Sequence, residues 1–109
     1  MNTETDDFSE QRKKELIDLL TNELKVLRAK LEISQQDLAN RIGITRQTYG
    51  MIEKKKHHMT WNHFMALIFV FLSNEGSKEL LAHVGGYPPD LDKYVRLNKT
   101  TNNIGENVI

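Results

Sequence analysis

One six-residue figure, an apolar residue, a hydroxyl residue, three others and a second apolar residue, occurs three times: Ile33-Ser34 to Leu38, Ile44-Thr45 to Tyr49, and Met59-Thr60 to Phe64. It marks a helix start. The hydroxyl oxygen accepts a hydrogen bond from an orphan backbone N–H two or three residues on, and the flanking apolar pair staples the incoming chain to the first turn. Three starts packed between Ile33 and Phe64 require short helices joined by tight turns, and the chain is expected to be all-α.

The first two starts are the most closely coupled. Asp37 lies at the third helical position after Ser34, a capping-box spacing. Leu38, Ala39 and Ile42 supply the inner face of that helix, and Gly43 stands where a residue able to turn left-handed ends it. The next helix begins only two residues later, at Thr45. At about 100° per residue, Tyr49 and Ile52 point to one side with Thr45 near them, while Arg46, Gln47, Gly50 and Met51 lie on the opposite arc. Gly50 in the interior costs about 1 kcal/mol relative to alanine, so packing must hold this helix.

On either side the signals are plainer. Ser9 caps a helix starting at Glu10, with apolar residues at Leu16, Ile17, Leu20, Leu24, Leu27 and Leu31. Thr21 and Asn22 could restart it, so one helix or two fit, and the end near Glu32 has no glycine to fix it. After Thr60, Trp61, Phe64, Leu67, Ile68 and Phe71 share a face, with Met65, Phe69 and Val70 making the helix apolar nearly all round. Asn74 or Ser77 caps a fifth helix carrying Leu80, Leu81 and Val84, closed by Gly85-Gly86. Pro88-Pro89 break the chain, Leu91, Tyr94 and Val95 suggest one more short helix, and Asn98 to Ile109 reads as a polar tail.

At 109 residues the chain suits one hydrophobic core. Without cysteine there is no disulfide, no thiol nucleophile and no thiolate zinc site. The segment Met1 to Asp7 is polar and acidic, unlike a secretory signal, and the longest apolar run, Phe64 to Leu72, is far shorter than the roughly 20 residues of a membrane span. A cytoplasmic protein is expected. Net charge is zero, yet its distribution is uneven: three basic and six acidic residues in 1–20, eight against four in 21–60, four against five in 61–109. A basic centre between acidic ends suits one anion-facing surface.

Two helices joined by a short turn containing glycine form a helix-turn-helix, whose second helix presents its first residues to base edges. The sequence resembles the phage-repressor-like (Xre-type) helix-turn-helix family through Leu24-Lys25-Val26-Leu27-Arg28, Ser34-Gln35-Gln36-Asp37-Leu38-Ala39, Ile42-Gly43-Ile44, Thr45-Arg46-Gln47-Thr48 and Ile52-Glu53. The likeness runs from about Asn22 to Leu72. It departs at Glu32, usually glycine, at Met59, often proline, and at Gly50 and Met51, usually polar.

The resemblance implies a five-helix lambda-repressor-like domain with a short C-terminal extension: 1–20 an acidic segment and helix extension, 21–86 the DNA-binding domain, 87–109 the extension and tail. It implies sequence-specific double-stranded DNA binding by a transcriptional regulator, a repressor, reading the major groove as a homodimer. Side-chain chemistry then assigns base reading to Arg46, Gln47, Thr48 and Met51: arginine forks onto guanine, glutamine onto adenine, and methyl groups meet thymine. Gln35 matches the family's phosphate-contacting glutamine, near a helix N-terminus that favours anions. Lys54, Lys55 and Lys56 fall where the family's loop follows the phosphate backbone, and Arg28 and Glu53 match a structural pair.

His57, His58 and His63 lack the spacing and the partners of a metal site, and no nucleophile, phosphate loop or carboxylate pair points to an enzyme, a cofactor or a small-molecule ligand. The alternative function is a protein-interaction module, an antitoxin or regulatory subunit that keeps the fold. The dimer surface is either the fourth and fifth helices or the Leu16 to Leu31 stripe.

Overall fold

A computed structural model describes residues 8–96, and these form six helices: α1 Glu10–Leu31, α2 Gln35–Ile42, α3 Arg46–Glu53, α4 Trp61–Leu72, α5 Glu75–His83 and α6 Pro89–Arg96. Among the described residues there is no strand. Each expected cap forms. Ser9, Ser34, Thr45, Thr60 and Asn74 all sit in extended backbone and accept from the N–H three residues on. Between the two candidates for α5, Asn74 is the cap. Ser77 is instead fully buried, donating its hydroxyl to the carbonyls of Phe71 at 2.6 Å and Asn74 at 3.2 Å.

α1 is a single helix through Thr21 and Asn22, where the sequence left one or two open. Thr21 returns its hydroxyl to the Ile17 carbonyl at 2.7 Å, so it continues the helix instead of restarting it. The helix ends at Glu32, which adopts the left-handed conformation (φ 58°). Its N–H bonds Ala29 O, and that of Ile33 bonds Arg28 O, closing the last turn without glycine.

Leu16, Leu20, Leu24 and Leu27 of α1 lie at the centre of the core, met by Tyr49 and Ile52 of α3, Phe64, Leu67, Ile68 and Phe71 of α4, and Leu81 of α5. The α1 stripe is therefore interior and unavailable as a dimer surface. α1 packs on α3, α4 and α5, while α2 packs on α3 and α4. The extension is a sixth helix that closes over the start of α1. Leu91 is fully buried, Tyr94 stacks on Phe8 (centroids 4.8 Å apart), and Arg12 grips Asp90 through two hydrogen bonds of 2.8 and 3.0 Å. The polar tail read at 98–109 lies outside the described residues. Among those residues no helix is long and apolar enough to cross a membrane, and no group of three or more His, Asp or Glu is placed to hold a metal ion.

Candidate nucleic-acid interface

The turn between α2 and α3 is set by Gly43 (φ 80°), with Gly43 N–H on Asn40 O at 3.3 Å and Ile44 N–H on Ala39 O at 3.1 Å. That closure starts α3 at once, capped by Thr45. Leu38 and Ala39 of α2 and Tyr49 and Ile52 of α3 are fully buried, which locks the two helices together. The opposite side of α3 stays in solvent: Arg46 and Gln47 are exposed, and Thr48, Gly50 and Met51 are partly exposed. Of the four expected base readers, Arg46, Gln47 and Met51 thus lie on the accessible arc, and Thr48 lies at its margin beside the buried Ile52. The Thr48 hydroxyl oxygen accepts a hydrogen bond from the Thr45 hydroxyl at 2.9 Å. Beside the face, Gln36, Asn40, Gly43, Ile44, Thr45 and Arg46 line an open depression of about 560 Å³.

Behind the face lies a buried carboxylate. The Glu53 side chain is only 1 % exposed and takes Arg28 Nε at 2.8 Å and Nη2 at 3.3 Å, the Tyr49 hydroxyl at 2.5 Å and Gln35 Nε2 at 3.0 Å. Burial alone would push its carboxyl up. The hydrogen bonds from Arg28, Tyr49 and Gln35 outweigh that, and the net result lies below the ordinary carboxylate value. For Tyr49, burial first and then the bond to Glu53 raise the phenol far above its usual range, so it stays a donor. Arg28 and Glu53 are the pair the sequence suggested. Tyr49 and Gln35 are members it missed. The available signal for Tyr49 was general: a phenol on a core face needs a partner for its hydroxyl.

Gln35 differs from its expected role in one respect. Its amide is already engaged, donating to Glu53 and accepting from Arg46 Nη1 at 3.2 Å. Gly50, placed by its angle on the outward arc, is partly covered because the Gln35 amide lies over it.

After α3 the chain turns sharply. Lys54 N–H returns to Gly50 O, Lys55 N–H to Ile52 O and Lys56 N–H to Met51 O at 2.8 Å, with Lys55 in the left-handed region at φ 64°. Lys54, Lys55, Lys56, His57 and His58 directly follow α3 in the chain and are all exposed. His63 closes the far end of this loop. Its Nδ1 accepts the Thr60 N–H at 3.2 Å while Thr60 Oγ1 accepts the His63 N–H at 3.0 Å, a capping box completed by a histidine. Burial, then the nearby His57, holds the His63 ring below the usual histidine value.

A family model described as helix-turn-helix matches residues 24–59, from the middle of α1 to the end of the basic loop. No curated protein and no solved structure matches the chain.

Proposed function

We propose that this chain, whose residues 24–59 match a helix-turn-helix family model, represses transcription by laying α3 in the major groove of a specific duplex. The observation that carries the reading is the two-sidedness of α3. Tyr49, Ile52 and Glu53 anchor it in the core, and Arg46 and Gln47 stand clear on the other side.

In this reading Gln47 pairs with adenine N6 and N7, Arg46 forks onto guanine or a phosphate, and Thr48 and Met51 meet thymine methyl groups. Lys54, Lys55 and Lys56 follow the backbone on one side of the groove. Gln35 approaches it at the start of α2, where its Nε2 keeps one hydrogen beyond the bond to Glu53. A helix of eight residues spans too few base pairs for selectivity, so two copies act together on half-sites about one helical turn apart. With the α1 stripe buried, the outer side of α4, where Phe69 is 74 % exposed, is the surface for that pairing.

The test is selection of bound sequences from a random duplex pool at about 100 mM salt. The expected product is a palindromic motif, with binding that weakens steeply as salt rises. A pool that stays random, or binding indifferent to salt, would overturn the reading in favour of a protein-interaction module.

A further inference from the structure

The turn that leaves α3 carries, besides its lysines, a side chain whose charge depends on acidity. Lys56 N–H reaches back to Met51 O at 2.8 Å, which folds the loop against the end of the helix, and His57 is the next residue along. Its Nδ1 lies 2.9 Å from the carbonyl oxygen of His58. A carbonyl oxygen only accepts, so that nitrogen carries the hydrogen whether the ring is neutral or charged. In the neutral ring Nε2 is then the acceptor, presenting a lone pair that a phosphate oxygen repels. One added proton makes Nε2 a charged donor, and the bond that ties the ring to the backbone survives.

The surroundings determine what favours that proton. His57 is exposed, and Lys54, Lys55, Lys56 and His58 of its own loop are cations or can become so. His63 of α4 feels its charge. The carboxylate nearest in sequence, Glu53, is buried and turned to Arg28, and among the described residues no salt bridge involves His57. The protein thus supplies no negative partner for the charged ring, whereas a phosphate at about 4–6 Å would favour the protonated form. His63 works in the opposite sense: its Nδ1 accepts the Thr60 N–H, so a proton there breaks the cap of α4 instead of adding a contact.

We propose that His57 is a proton-gated phosphate contact, so that this chain takes up a proton on closing over duplex DNA and binds more tightly as pH falls. The gate acts on the loop that follows the backbone and leaves base selection by α3 unchanged. The inference rests on the DNA-binding reading above.

The probe is the duplex selected by the wild-type protein. Its affinity is measured across a salt series at about pH 7.5 and pH 6.0, the span in which histidine changes charge, and proton uptake is read by titration calorimetry in two buffers of different ionisation enthalpy. Acidification is expected to tighten wild-type binding roughly threefold or more, to steepen the slope of log K against log salt by up to about 0.9, and to register net uptake. His57→Asn keeps a donor for the His58 carbonyl without a titrating ring, and its affinity should vary by less than about twofold over the same span. His57→Lys, a permanent cation, should bind at pH 7.5 about as tightly as the wild type does at pH 6.0. His58→Asn leaves the accepting carbonyl in place and should retain the pH dependence. Wild-type affinity indifferent to pH, or a dependence that persists in His57→Asn, overturns the gate alone. A wild-type protein that binds no duplex at either pH overturns the DNA-binding reading and this inference with it.

Discussion

At the scale of single residues, Glu53 is the hinge of the site. Its carboxylate is buried against Arg28, Tyr49 and Gln35, and removing the charge leaves Arg28 facing a neutral amide in a mostly dry setting. Glu53→Gln should lower unfolding free energy by about 2–3 kcal/mol, discounted from the fully buried case because the Arg28 side chain is partly exposed. Chemical denaturation measures it. The pH dependence has a definite sign. Glu53 titrates below its unfolded value in the folded chain, so the stabilisation is complete above the ordinary carboxylate value of 4.5 and disappears as pH falls through the lower folded value. The variant should show a flatter acid limb than wild type. The Arg28–Glu53 pair was legible only through the family resemblance, because residues 25 positions apart carry no local signal. Gln35 is expected from the sequence to contact phosphate, and its bonds to Glu53 and Arg46 were hidden for the same reason: both partners lie on another helix.

Helix ends were the most legible elements, since a cap is written in adjacent residues. The exceptions are ends that break the glycine rule. Glu32 and Lys55 both take the left-handed conformation that favours glycine. Glu32→Gly should raise stability by about 1 kcal/mol, relieving this strain and removing an acid from the negative end of α1. A thermal melt without that gain would refute the strain. Lys55→Gly separates stability from binding: it should stabilise by a similar amount yet weaken duplex affinity, reducing the slope of log K against log salt by roughly 0.9. His63 adds a pH effect at the start of α4. The folded chain favours its neutral ring, so stability is complete above the ordinary histidine value of 6.5 and is lost as pH falls through the depressed folded value. His63→Gln can keep the capping box without titrating. Its melting temperature should therefore change less than that of wild type between about pH 7.5 and pH 5.

For the whole molecule, the sequence indicated the helical class and the basic middle segment, and the structure adds where the extension goes. Leu91 and Tyr94 were visible as an apolar pair, but nothing local said that Tyr94 meets Phe8 and Trp61, residues far away along the chain. Surface choice was equally hidden: the α1 stripe and the α4 face look alike as apolar patterns until packing buries one of them. Among the described residues Phe69 is the large apolar residue left most exposed, beyond Val26 and Val95. If two copies join there, Phe69→Asp should sediment as a monomer where the wild-type protein sediments as a dimer, with duplex affinity falling accordingly. An unchanged sedimentation coefficient would remove α4 from the dimer contact.

The stacking of Phe8 on Tyr94 sets the two extremities of the described backbone side by side. A short flexible linker could join them into a closed ring with little distortion of the bundle, and new termini could be opened at the turn between α5 and α6. Such a circular permutant of the described residues would keep α2 and α3 untouched while making the α6 clasp a local contact instead of one that spans 78 positions.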